Sequence, residues 1–390
     1  MAVGLTSTTG ISAKNIDGFT VHSYLGLGLG QDTVASIIKN MSPKARKRWF
    51  TCRVLIIDEV SMLSFDLFNK INEIAKTMKN SSKPIGGIQL VAVGDFLQLP
   101  AINSDFCFET ETWTECAFTV CVLKEIVRQK DETFQKLLSE IRIGHCSALS
   151  EEILESRVNH ELCNEWGIKP SRIFPTNNKA DALNTIELKT LVDKGLEMHE
   201  YEANYKILFN KSKESDKLVL EHARKHFRED KGIPDLLTLV VGAQIIFKKN
   251  IKNPEGPDKI VNGSRGVVQS FIWDIDSKLT LPVVRFLDGL EYIVQYEQFS
   301  YKNQDLFEIT RNVLPIKLAW GLTIHSIQGS TVDYILIDIG SDIFEFGQSY
   351  VALSRVRTLD GLSLLSFNRE KIFANPKVLE FYQRITDSTD

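Results

Sequence analysis

No Gly-Lys dipeptide occurs anywhere in the 390 residues. Its absence excludes from this sequence the loop G-x-x-x-x-G-K-S/T, whose glycines let backbone N–H groups crowd a nucleotide's phosphates while its Lys reaches the terminal ones. Cysteine is scarce and badly spaced for metal. The six residues Cys52, Cys107, Cys116, Cys121, Cys146 and Cys163 include no C-x-x-C pair and no His at finger spacing, which argues against both zinc and a disulfide framework. They read as reduced thiols in a cytoplasmic or nuclear protein. The most apolar stretch, LLTLVVGAQIIF at 236–247, is too short and too interrupted to span a bilayer, and the N-terminus shows no charged segment followed by an apolar run. Neither sign of charge dominates. With a formal net charge of -4, any affinity for nucleic acid must come from a local basic groove.

What is present is enough apolar residue, 43% of the chain, to bury a sizeable core in two or three domains. Short apolar runs (VLIID at 54–58, IQLVAVGD at 88–95, RIFPTN at 172–177, YILIDIG at 334–340, LSLLSF at 362–367) alternate with helical patterns at 64–79 and 131–144. Continuous apolar strands between helices predict an α/β fold with parallel sheets covered on both faces, and sites at the strands' carboxyl ends. Between about 238 and 300 the pattern becomes β-branched and aromatic, punctuated by Asn262-Gly263 and Asp288-Gly289, dipeptides suited to tight hairpins. A small β-barrel-like insertion is expected there. Residues 145–170 and 195–235 read as charged and irregular or helical, and about the last five residues as frayed.

The run RVLIIDEVSML at 53–63 delivers four apolar residues into Asp58-Glu59. A strand ending this way can present one carboxylate to magnesium and the next to a water, although a buried strand closing at an acidic surface turn has the same look. A second apolar run, GGIQLVAVGDFLQLP, ends in Gly94-Asp95 with Gln98 close behind. Such a Gln can bond a γ-phosphate oxygen and the attacking water, while Asp95 can orient the magnesium shell. Arg128 in VRQKD and Arg355 in YVALSRVRTLDG supply the planar forks that phosphoryl transfer uses. In AWGLTIHSIQGSTVD at 319–333, Thr323, His325, Gln328, Gly329, Ser330 and Thr331 form a row of small donors suited to a phosphate backbone. His325 on its own reads better as a buried, satisfied imidazole. The spacing Gly26-x-Gly28-x-Gly30 is no dinucleotide fingerprint, because position 31 is Gln31. Lys44, Arg46, Lys47 and Arg48 read as a solvated helix face.

In order along the chain, STTGISAKNIDGFTVHSYLGLGLG, LIIDEVSML, GGIQLVAVGDFLQLP, VLKEIVRQKDETFQKLLSEIRIG, VNGSRGVV, LAWGLTIHSIQGST and GQSYVALSRVRTLDGL resemble the motifs of the Pif-type DNA helicases, relatives of the RecD-like branch of superfamily 1. The resemblance implies two RecA-like P-loop NTPase domains, at 1–165 and 166–390, with ATP and Mg2+ between them. It also implies an SH3-like β-barrel inserted in the second domain and 5′-to-3′ translocation on single-stranded DNA in replication, repair or genome maintenance. DNA duplex junctions are the implied substrate, a monomer the implied free state, and no membrane is involved. Carried over, Asp58 and Glu59 are the magnesium and water-activating groups, Gln98 the γ-phosphate sensor, and Arg128 and Arg355 the phosphate-reaching arginines. Asp95, Gln328 and Gly329 fall at cofactor positions, and Thr8, Thr9, His22, Thr323, His325 and Ser330 at DNA-contacting ones. Two departures stand out. Ser326 occupies the place of the family's usual Lys, removing a cationic contact, and the strand and phosphate loop expected before the first DNA motif are absent. The alternative expectation is therefore a split or degenerate remnant, inactive as an ATPase by itself, that binds single-stranded DNA or a partner.

Overall fold

The computed structural model describes residues 2–28, 30, 32–101, 104–162, 170–211, 215–249, 251, 260, 264–286, 289–303, 307–328, 331, 332 and 334–387. The chain divides into two compact units, the first made of Met1–Glu152, Ile343–Ser354 and Asn368–Asp390, the second of Ile153–Asp342 and Arg355–Phe367. This differs from a single boundary at 165/166. The chain returns to the first unit twice near its end.

In the first unit, β1 (Val3–Ser7), β2 (Phe19–Thr20), β3 (Val54–Asp58) and β4 (Gln89–Ala92) form a sheet in the order β2-β1-β3-β4, and every pairing is parallel. Parallel strands need crossovers, and helices supply them. The helix Phe65–Lys79 starts where the Ser64 hydroxyl accepts from the Leu67 N–H, and stops at Asn80 in a left-handed conformation. Its Phe68, Ile71, Ile74, Ala75 and Met78 recur at spacings of three and four, and all are buried. Buried Asn72 on the same helix is satisfied, donating to the Thr112 hydroxyl and accepting from the Ile85 N–H.

The C-terminal helix Pro376–Asp387 belongs to this unit for a physical reason. Phe381 stacks on Phe108 at 4.2 Å and meets the ring of Phe96 edge-on at 5.6 Å. Burying that ring, which stays only 8% exposed, contributes roughly 2 kcal/mol. Phe96 follows Asp95 directly, and its N–H donates to the Tyr382 hydroxyl of the same helix, so the helix ties down the loop that follows β4.

The second unit holds another parallel sheet: β5 (Ser171–Phe174), β6 (Gly321–Thr323), β7 (Ile335–Ile339) and β8 (Leu362–Phe367), in the order β6-β5-β7-β8. Between β5 and β6 the chain builds antiparallel sheets. The strands Gln244–Phe247, Arg265–Asp274, Leu279–Phe286, Glu291–Ile293 and Ile316–Leu318 make one of five strands. Asn204–Asn210, Glu297–Asn303 and Phe307–Val313 make one of three, and Met198–Glu202 pairs with Leu236–Val240. The β-rich region therefore begins at Met198, ahead of 238. MHEYE and NYKILFN carry charged or polar residues on one face, which hides a two-residue alternation inside a stretch expected to be irregular or helical. Gly289, with φ 83°, turns the chain between two antiparallel strands, and Phe286 donates its N–H to the Leu290 carbonyl. Asn262, Gly263 and Asp288 lie outside the described residues. No helix among the described residues is long and apolar enough to cross a membrane.

Candidate active site

Asp58 ends β3 opposite Ser7 of β1. The Ser7 hydroxyl and the Thr8 N–H both donate to the Asp58 carbonyl at 3.2 Å, and the Thr8 hydroxyl donates to the Glu59 carbonyl at 2.8 Å. Buried Ser12 donates its hydroxyl to Asp58 Oδ2. One carboxylate oxygen is thereby oriented from the first helix after β1. Thr9 caps that helix, its hydroxyl accepting from the Ser12 N–H at 3.1 Å.

Glu59 leaves the sheet in the left-handed region, at φ 53° and ψ 43°. A side chain there costs on the order of 1 kcal/mol or more and persists only where neighbours enforce it. The Thr8 hydroxyl enforces it from one side and the Val60 N–H, donating to the Val93 carbonyl at 2.9 Å, from the other. Gly94 completes the arrangement by size, because a Cβ there would lie 2.9 Å from the Val60 nitrogen.

Gln98 follows in a turn closed by its own N–H on the Asp95 carbonyl and by the Leu97 N–H on Asp95 Oδ1. Gly347, with φ 74°, presses against this turn, and a Cβ there would come 2.5 Å from the Leu97 carbonyl. The Gln98 Oε1 is buried without a hydrogen-bond partner. An amide oxygen left so costs about 1–3 kcal/mol, and a bound water or phosphate-linked donor would recover it.

Asp95, expected to orient a magnesium shell, is already held by protein partners. Arg142 Nε and Nη2 donate to Asp95 Oδ2 and Oδ1 at 2.9 and 2.8 Å, and the Tyr382 hydroxyl adds a bond at 3.1 Å. Both oxygens are engaged. Burial pulls the Arg142 guanidinium down, but the Asp95 hydrogen bonds and charge outweigh it and leave its pKa above the ordinary arginine value. Arg142→Ala should strip a largely buried carboxylate of its fork and cost about 2–3 kcal/mol. A urea melt of the variant should show the loss as a lower midpoint at unchanged slope.

Arg128 donates Nη1 to the Ser354 carbonyl at 3.0 Å, and Gln129 Nε2 donates to the same oxygen at 3.1 Å. Desolvation lowers the Arg128 pKa, while Tyr350 and the Glu59 carboxylate pull it back up. The guanidinium therefore feels the strand-end acid, yet one of its N–H groups holds the backbone just before Arg355.

A sequence model of the PIF1-like helicase family matches residues 1–152. The ATP-dependent DNA helicase PIF1 of Xenopus laevis is 34% identical over 386 residues, covering 97% of this chain and 57% of that protein. The crystal structure of the Pif1 helicase from Candida albicans superposes with a TM-score of 0.82 at 35% identity, covering 98% of this chain and 89% of that one. The chain belongs to the PIF1-like helicase family. Its two parallel sheets are the RecA-like α/β architecture of the family's solved structures. The chain spans little more than half the length of the curated relatives it matches.

The remaining family positions are placed as follows. His22 is half-buried, and desolvation lowers its pKa, which keeps the ring neutral at pH 7. Arg48 donates to the Ser23 and Tyr24 carbonyls and lies over Phe19, and Arg46 donates to the Ile38 carbonyl. The basic run is thus only partly a solvated face. In the second unit, the Thr323 hydroxyl accepts from the Ser326 N–H, and the Ser326 hydroxyl both donates to the Thr323 carbonyl and accepts from its N–H. Ser326, standing where the family has Lys, completes a capping box. His325 is half-buried, and Gln328 is 6% exposed with neither amide atom partnered. Gly329 and Ser330 lie outside the described residues. Arg355 is buried at 3% exposure, its carbonyl accepting from the Val332 N–H. Sequence reasoning passed over Ser12, Arg142, Gln129 and Tyr382. Each acts on a residue at least 46 positions away, a distance at which no local pattern gives a signal.

Proposed function

We propose that this chain is the core of an ATP-dependent DNA helicase, hydrolysing ATP at the ends of β3 and β4 and coupling it to movement along single-stranded DNA. The observation that carries the reading is the left-handed Glu59 backbone at the end of β3, together with a Gln98 oxygen after β4 that is buried and unpartnered. Asp58 would hold magnesium through the oxygen that Ser12 orients. Among the described residues no three His, Cys, Asp or Glu side chains converge as a metal cage. One strand-end carboxylate is what magnesium takes when phosphates and water complete its octahedron. The ion supplies charge neutralisation on the transferring phosphoryl group.

Glu59 would accept a proton from the attacking water, and Gln98 would align that water with the γ-phosphate. Arg128 and Gln129 position the peptide that carries Arg355, the residue assigned to the developing negative charge. Thr8, Thr9 and His22 in the first unit, and Thr323, His325 and Ser330 in the second, are assigned to the DNA backbone, with Gln328 and Gly329 linking nucleotide to DNA. Two hydroxyls of this set, Thr9 and Thr323, already cap helices, so their DNA contacts would be shared. The five-stranded antiparallel sheet is read as the SH3-like barrel, and the two parallel sheets as the cores of the two RecA-like domains. Translocation is taken as 5′-to-3′, and forked DNA as a substrate.

The missing Gly-Lys supports a second reading, a remnant that binds single-stranded DNA without turnover. One experiment separates them. Purified 1–390 protein should hydrolyse ATP poorly with or without single-stranded DNA, because nothing in it supplies the donor cradle and Lys for the β- and γ-phosphates. A version carrying an upstream strand, phosphate loop and helix should gain DNA-stimulated turnover. A restored protein that stays inert while binding DNA would establish the remnant.

A further inference from the structure

In the second unit, the antiparallel strands Arg265–Asp274 and Leu279–Phe286 outrun the strands beside them. At the base, Arg265, Gly266 and Val267 pair with the strand Gln244–Phe247, and Val268 exchanges backbone bonds with Gly242 and Ala243. On the far side, Val283, Val284 and Arg285 pair with Glu291–Ile293, and the Val294 N–H donates to the Pro282 carbonyl. A bulge between Val268 and Ser270 marks where the first strand leaves its neighbour. From Ser270 to Asp274 it pairs only with Leu279–Val283, and its outer edge meets no strand among the described residues. A two-stranded ribbon of this kind is only marginally stable in water by itself.

Sheet edges are ordinarily blunted by Lys, Pro or a covering loop. Past the bulge, Ser270, Phe271, Ile272 and Trp273 include no charge and no Pro. Trp273 is 61% exposed and Ile275 in the turn 80%, with Ile272 and Leu279 exposed beside them. Phe271 is braced, its ring 4.5 Å from that of His199. Backbone donors and acceptors spaced for a ladder, with apolar side chains on both faces, are what an extended peptide meets when it adds to a sheet. The turn sets the charge of the partner. It carries Asp274 and Asp276 against Lys278, and Asp274 is held there by accepting the Ser277 N–H at 2.9 Å. Two carboxylates at the end of the strip repel a phosphate backbone and attract Lys or Arg. A second copy is a poor occupant, since a strip about 17 Å long and one strand wide falls far short of the roughly 800 Å² per partner that a stable dimer buries.

We infer that the outer edge of Ser270–Asp274 takes up an extended segment of another protein, apolar on both faces and carrying Lys or Arg where it passes Asp274 and Asp276. The added strand turns the ribbon into a three-stranded sheet and covers Ile272 and Trp273. It requires neither nucleotide nor DNA.

Amide exchange of the 1–390 protein tests this with a short synthetic peptide of alternating Val and Thr closed by a Lys at each end. With peptide at about ten times its Kd, amides of Ser270–Asp274 that face the open edge should exchange about tenfold more slowly. The same peptide with Pro at its centre should protect nothing, since Pro cannot donate to the ladder. Ends of Glu in place of Lys should weaken binding, and Asp276→Lys, a change in an exposed turn, should reverse that preference. Unchanged exchange at Ser270–Asp274 with the Lys-ended peptide would overturn the inference, and equal binding of the Lys- and Glu-ended peptides would overturn the basic partner. Protection that grows with protein concentration alone would make a second copy the occupant. Protection by single-stranded oligothymidylate and not by peptide would place the ribbon on the DNA track instead.

Discussion

In the protein supplied with its phosphate loop, Asp58→Asn and Glu59→Gln should each lower ATP turnover by about 10²-fold or more, and they should part company on nucleotide affinity. Asp58 is the last residue of β3, with one oxygen fixed by Ser12, so it suits a metal ligand whose geometry is set before the ligand arrives. Its amide would hold magnesium poorly, and affinity for ATP should fall with turnover. Glu59 sits one residue on, thrown off the sheet by its left-handed backbone. Its task is proton transfer, so Glu59→Gln should retain ATP and stall afterwards. Fluorescent-nucleotide titration with and without magnesium reads the split directly. Equal loss of binding in both variants would make the pair a shared metal site, with no base assigned.

That division of labour explains what could be read in the sequence and what could not. The strand at 54–58 and its acidic end were legible because four consecutive apolar residues bounded by polar ones fit a strand buried on both faces. The helices Phe65–Lys79 and Glu132–Arg142 were legible by their periodicity, and the structure adds Ser64 and Asp131 as their caps. The surroundings of Asp95 were not legible. Its position after an apolar strand matched a nucleotide site, but its partner Arg142 lies 47 residues downstream, and only the fold brings the two together. The strands at Met198–Glu202 and Asn204–Asn210 were hidden by polar outward faces. The return of Pro376–Asp387 to the first unit depends on Phe381 finding Phe96 and Phe108, a long-range aromatic contact with no local signature. Local chemistry was readable where one element carried it. Contacts made by tertiary approach were not.

Arg355→Ala should give the other large effect. The division between the two units falls at the peptide joining Ser354 to Arg355, and Arg128 and Gln129 both donate to the Ser354 carbonyl. The backbone that presents Arg355 is thus held by two side chains, one of which also feels the Glu59 carboxylate. If Arg355 stabilises charge on the transferring phosphoryl group, its removal in the restored protein should lower kcat by about 10³-fold or more, as for other arginine fingers. Binding of single-stranded DNA without ATP should remain nearly unchanged. Arg355→Lys should recover little, because a point ammonium lacks the planar pair of donors. Arg355 is buried, so the substitution also removes packing, and a thermal melt must accompany the kinetics. A variant with a near-parental melting temperature and lost turnover supports the catalytic role. A variant that keeps its ATPase and loses DNA affinity would instead place Arg355 on the DNA track.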